Sequence, residues 1–116
     1  MKYSIKEIAE MFSEGKFEDI YGYIHENASW EIVGEKHLSG KAAIVQQCNE
    51  VSSYFKTVET DFKKLNTIVE NNKVAINGTA KFIRDGETVA FVSACDVYEF
   101  NDEGKIEKVV SYCINR

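Results

Sequence analysis

The order of apolar and polar positions divides the chain into an early helical part and a later extended part. Ile5, Ile8, Ala9 and Phe12 recur on one face at helical spacing. Ser4 precedes them with Glu7 three residues on, a capping box in which the hydroxyl accepts from a first-turn amide and the carboxylate reaches back. A helix is therefore predicted from about Ile5, stopping near Gly15, because glycine tolerates the left-handed conformation that ends helices. Phe17, Ile20, Tyr21 and Ile24 repeat the spacing and predict a second, shorter helix. The period then shortens: ASWEIVG, residues 28–34, reads as a short strand bounded by Gly34. Ser39 opens a third predicted helix, with Ile44, Cys48, Val51 and Phe55 at spacings of three or four.

From Asp61 onward nearly everything reads as strand. The first long strand runs to the Asn71-Asn72 turn, and the second carries Val74, Ile76, Gly78, Ala80 and Phe82 on one face. Asp85-Gly86 is a strong two-residue hairpin signal. A third strand spans about 87–100, the turn NDEG follows, and Lys105 to Ile114 forms the last. Helices followed by a meander of long strands predict an α+β domain, with helices covering one face of a curved, mainly antiparallel sheet. One domain over residues 1–116 is expected, because a chain of this length builds one core and not two.

One position breaks the apolar pattern. In FVSACDVYEF, residues 91–100, Asp96 sits near the centre of a strand that is otherwise almost wholly apolar. Alternation puts Thr88, Ala90, Val92, Ala94, Asp96 and Tyr98 on one side. Alanines beside an acid leave volume for something else, so Asp96 reads as an acid facing a cavity. A plain surface position, or a structural acid bonded to backbone amides, would also satisfy the rule that a buried charge needs partners. The opposite side carries Val89, Phe91 and Val97, so this strand needs covering twice. Helices can cover one side, and a second copy of the chain is the simplest cover for the other, so a homodimer is expected.

Composition narrows the partners. A net charge of −5 argues against nucleic acid, which demands clustered Lys and Arg, and the pair Lys63-Lys64 reads as a solvated strand face. No apolar run approaches the roughly 18 residues of a membrane span, and MKY leads into a helical pattern without an apolar leader, so no membrane partner and a cytoplasmic location are expected. Cys48, Cys95 and Cys113 are odd in number and lack a CxxC spacing; reduced, mostly buried thiols are expected. His25, after the second helix, and His37, in the loop before the third, could each act as acid or base, but lack a metal-ligand constellation. Neither a metal nor a cofactor is expected.

The succession of a helix, EGKFEDI, a second helix, ENASWEIVG, LSGKAAI with a third helix, and long strands ending in DVYEFNDEGKIEKVVSY resembles the nuclear transport factor 2-like superfamily. Within it the chain is most similar to the SnoaL-like and ketosteroid isomerase-like branch, and the resemblance covers nearly the whole sequence. It implies a cone-shaped α+β barrel, with three N-terminal helices packed on the curved sheet around a pocket. In ketosteroid isomerases a general-base Asp works with an oxyanion hole made of a Tyr and a protonated Asp. Asp96 matches the protonated acid through the FN..GK pattern that follows it, whereas Ile32 stands at the base position and Ile8 at the tyrosine position. Steroid isomerisation by that mechanism is not implied.

The resemblance also points Trp30 towards the pocket, on the face it shares with Ala28 and Ile32, although core packing is an equal reading. Val109, Ser111 and Cys113 of the last strand would face inward too, with Ser111 lacking the histidine a nucleophile needs. Tyr54 is an outside candidate for a pocket hydroxyl, with core packing the stronger reading. The residues expected at a ligand are thus Trp30, Ile32, Tyr54, Ala94, Asp96, Tyr98, Ser111 and Cys113. The function expected is binding of a small apolar ligand. The alternative is an isomerase, cyclase or dehydratase acting on a small apolar carbonyl or hydroxyl compound, with Asp96 as its acid or hydrogen-bond donor.

Overall fold

The computed structural model describes residues 2–116. Helix α1 spans Ile5–Ser13. Its capping box is complete: Glu7 N donates to Ser4 Oγ at 3.1 Å and Ser4 N donates to Glu7 Oε1 at 2.9 Å. Ile8, Ala9 and Phe12 form its buried face. Gly15, at φ +79°, turns the chain where a side chain would run into the Phe55 ring.

The second predicted helix is a 3-10 helix over Glu18–Tyr23, and Ile24 already belongs to strand β1, Ile24–Ile32. Ile20 and Ile24 are both buried, so their spacing suited either a helical turn or a turn feeding a strand. Strand β2, Lys36–Ser39, then pairs antiparallel with β1. This places His37 in a strand where a loop was expected, and His25 likewise lies in β1. The long helix α2, Lys41–Phe55, starts two residues after Ser39, with Gly40 as its N-cap. The three expected helices are thus matched in part: α1 and a 3-10 turn in place of the second helix precede the β1–β2 hairpin, and α2 follows it.

Strands β3 (Glu59–Glu70), β4 (Lys73–Arg84), β5 (Glu87–Phe100) and β6 (Ile106–Asn115) follow as an antiparallel meander. Asp85 and Gly86 both take positive φ, which matches the hairpin turn to the strand twist. The six strands make one sheet in the order β2-β1-β6-β5-β4-β3, antiparallel except where β1 meets β6. The sheet is open, with β2 and β3 as its edges. Register shifts interrupt β3 against β4 near Leu65, β4 against β5 near Val89, and β5 against β6 near Phe100. Each adds local bend and twist. At the first of them Gly78 lets β4 approach Lys63 so closely that a Cβ would collide with its carbonyl oxygen.

The main core lies between α1, α2 and the inner face of β1, β4, β5 and β6, with Tyr98, Phe100, Ile44, Ile106 and Val109 fully buried. Among the described residues no helix is long and apolar enough to cross a membrane.

Candidate functional site

Where the core stops, the bent sheet and the helices enclose a cavity of about 410 Å³. Small residues on the inner face create the space: Gly78 and Ala80 on β4, and Ala94 on β5. Six aromatic rings wall it, from Phe12, Phe17, Trp30, Phe55, Phe62 and Phe82. They form two clusters: Phe12 meets Trp30 edge-on at 4.9 Å and Phe17 at 5.3 Å, while Phe55 stacks on Phe82 at 5.7 Å and lies edge-on to Phe62 at 5.5 Å.

Asp96 lies on the inner wall, enclosed by protein but with part of its surface on the cavity. Three elements converge on its carboxyl. The last residue of α1, Ser13, donates from Oγ to Asp96 Oδ2 at 2.7 Å. Ser111 stands opposite Asp96 in the β5–β6 register, where its hydroxyl favours the charged form of the same carboxyl. Trp30 of β1 donates its indole N–H to Ser111 Oγ at 2.9 Å. An indole nitrogen only donates, so Ser111 accepts there and keeps its own proton for Asp96. Ser13 likewise has one proton and gives it to Asp96, so the Tyr98 hydroxyl at 2.5 Å is the donor to Ser13. Two short relays, Tyr98 to Ser13 and Trp30 to Ser111, end on one carboxyl.

Burial pushes the Asp96 carboxyl above the usual carboxylate range, and the bonds from Ser111 and Ser13 hold it back only in part. Burial also raises the Tyr98 phenol far above its ordinary value, with the Asp96 charge adding to the shift. The Cys113 thiol, one register step along β6, is pushed up to about 11 for the same reasons. None of these neighbours carries a charge at neutral pH. Cys48 is buried and pushed up to about 12, but Cys95 is half-buried and Cys113 exposed, so only one of the three thiols is buried as expected. Among the described residues no cluster of ligating side chains could hold a metal ion.

Charged residues collect at the cavity rim. Lys64 Nζ and Thr67 Oγ1 both donate to Glu10 Oε2, at 2.8 and 2.9 Å, and the lysine bond draws the Glu10 pKa down. Lys63 and Lys64 are both exposed, as a solvated strand face requires, and Lys64 adds an ion pair to Glu10.

Of the residues singled out in the sequence, Trp30, Ile32, Ala94, Asp96, Ser111 and Cys113 line the cavity. Tyr54 does not. It is 41% exposed and packs edge-on against the outer side of the cavity wall at Phe82, 5.7 Å away, because Val51 and Phe55 occupy the helix positions that line the cavity. Tyr98 does not line the cavity either: fully buried, it packs edge-on against Phe12 and acts on the site only through Ser13. His25 and His37 are off the cavity; His25 Nδ1 accepts from Asn27 N at 3.0 Å within its own strand. Ser13 had no signal in the sequence, since a polar residue at a helix end is ordinary. Phe62 and Phe82 were legible only as apolar strand positions.

The SnoaL-like domain family model matches residues 5–109. A nuclear transport factor 2-like protein of unknown function from Cytophaga hutchinsonii is 32% identical, with a TM-score of 0.83 over 93% of this chain and 94% of that one. An LEH-like epoxide hydrolase from M. tuberculosis shares the fold at 17% identity, with a TM-score of 0.71 over 95% of this chain and 82% of that one. A SnoaL-like family protein from Agrobacterium tumefaciens does so at 20% identity, with a TM-score of 0.67 over 92% and 94%. Comparison with curated proteins returns no match.

Proposed function

This chain belongs to the SnoaL-like domain family, and from that premise we propose that it binds a small, largely apolar molecule with one polar end. The scaffold alone does not decide this, because one fold hosts many activities. The observation that carries the reading is the Asp96 carboxyl, fed by two hydroxyl relays, on the wall of an aromatic cavity of about 410 Å³. The volume is within the usual range for small-molecule sites, and a few fixed polar groups among largely apolar walls are their usual composition. Trp30, Ile32, Ala94 and Cys113 would contact the body of the ligand, and Asp96 with Ser111 its polar end.

The test is direct, since Trp30 is the only tryptophan and lies on the cavity wall. Titration with the neutral apolar dye Nile red should change Trp30 emission in a saturable way. An Ala94→Leu exchange that fills the space should weaken that response. Dye binding indifferent to the filled cavity would refute the reading.

A second reading, an isomerase, cyclase or dehydratase, is favoured by the raised pKa of Asp96, which lets it hold a proton for a carbonyl or hydroxyl. Such chemistry also needs a group to take a proton away. Ile32 occupies the wall position where the family resemblance puts that base, and neither histidine reaches the cavity. Binding is therefore the better-supported reading.

We further propose that two copies pair through the outer face of the sheet. Val89, Leu65, Tyr112 and Ile114 are 48%, 59%, 49% and 66% exposed there, more apolar area than a lone sheet face comfortably leaves in water.

A further inference from the structure

We propose that the polar end of the ligand is a protonated amine, its ammonium seated on the Asp96 carboxylate and its apolar body against the aromatic wall. This deepens the binding reading above and rests on it.

The hydrogen-bond directions come first. Trp30 and Tyr98 each pass a donor inward, and the protons of Ser111 and Ser13 end on Asp96. With Asp96 ionised, both relays turn their protons toward its carboxylate, which only accepts. Its remaining lone pairs then call for a donor, which an ammonium supplies three times over. A ligand carbonyl would reverse the demand and require a proton on Asp96.

Charge is the second observation. β5 contributes Cys95 and Tyr98 near Asp96, β6 contributes Cys113 and α2 contributes Cys48, all neutral acids. The lining residues of β1 and β4 are not titratable. At the rim α1 holds Glu10 and Glu14, and the β1–β2 turn holds Glu35. β3 brings two bases to the cavity, Lys63 and Lys64, both exposed: Lys64 is bonded to Glu10, neither acts on Asp96, and Lys16 lies 3.9 Å from Glu14. Among the described residues no Lys, Arg or His acts on Asp96. The buried carboxyl therefore has hydroxyl donors but no counter-charge, and a buried charge is stable only when paired. A cationic ligand brings the missing partner, and the net charge of −5 draws it in from a distance.

The wall is the third. Trp30 and Phe12 meet edge-on beside the Ser111–Asp96 pair, and aromatic faces next to a carboxylate are the recurrent environment of ammonium groups.

The experiment uses two probes of matched apolar body, 4-phenylbutylamine and 4-phenyl-2-butanone, titrated by calorimetry into the wild-type protein and Asp96→Asn. The amine should bind wild type at least about tenfold more tightly than the ketone. Its affinity should rise as pH climbs through the raised Asp96 pKa, where the carboxyl loses its proton while an alkylammonium, close to lysine at about 10.4, keeps its own. Asp96→Asn should lose the preference for the amine while still binding Nile red. Ketone binding that equals or exceeds amine binding, or amine affinity unchanged in Asp96→Asn, would overturn the amine assignment and leave the cavity as a binding site. If neither probe nor Nile red binds wild type, the binding reading and the amine assignment fall together.

Discussion

At the scale of single residues, Asp96 sets the pH behaviour of the fold. Its pKa is raised by burial, so between the unfolded value of about 3.9 and the folded value the native state holds more protons than the unfolded chain. Stability from this group is complete below the unfolded pKa and declines as pH rises through the folded one. Asp96→Asn cannot lose a proton, so chemical denaturation across this range should show a flatter pH profile than wild type. Ser13→Ala removes a hydrogen bond that favours the charged form, so the Asp96 pKa should rise further, read by carbon-detected NMR titration of the carboxyl. The same variant should lose about 1–3 kcal/mol, because it also leaves the buried Tyr98 hydroxyl without its partner.

Asp96 was legible because strand alternation puts it beside Ala94 on a face with room. Ser13 was not, since the bond that gives it meaning joins residues 83 positions apart. Tyr98 shares a face with Asp96, and the pattern could not tell where the cavity ends; Phe12 of α1 closes it between the two.

At the scale of elements, the sequence was clearest where one or two neighbouring residues determine the geometry. The Ser4–Glu7 box, Gly15 after α1 and the Asp85-Gly86 turn each act locally and each stands where it was read. The 3-10 segment and β2 were harder for opposite reasons. EDIYGY offers a helical spacing, but the buried Ile24 is drawn into the sheet, and KHLS is too short and polar to announce a strand. Gly78 carries an element-level prediction. A methyl group there meets the Lys63 carbonyl across the β3–β4 register shift, so Gly78→Ala should cost about 1–3 kcal/mol in denaturant unfolding through forced separation of the two strands. It should also alter Nile red binding, since Gly78 lines the cavity.

At the scale of the whole molecule, the outer sheet face governs association. Phe91 was the obvious sequence choice for a disrupting charge, but the Arg116 guanidinium already lies over its ring at 4.8 Å, where it would neutralise a glutamate. Ile114, the most exposed large apolar residue of that face, is the sharper probe. Light scattering should give a dimer mass for wild type at micromolar concentration and a monomer mass for Ile114→Glu, because a charge in a desolvated interface is strongly unfavourable. A monomer for both would remove the dimer proposal without touching the cavity.

The long reach of the hydrogen bonds around Asp96 also sets when the site can come into being. Trp30 to Ser111, Ser13 to Asp96 and Ser13 to Tyr98 span 81, 83 and 85 residues of a 116-residue chain. Each requires closure of a loop holding most of the polypeptide, and such contacts are entropically expensive and late to form. Local hairpins and the capped first helix can assemble earlier, but the Trp30–Ser111 bond exists only once β6 has docked beside β1. Trp30 is thus a natural clock for folding: stopped-flow emission from it should follow the last docking step and lag behind the far-ultraviolet signal of helix and hairpin formation.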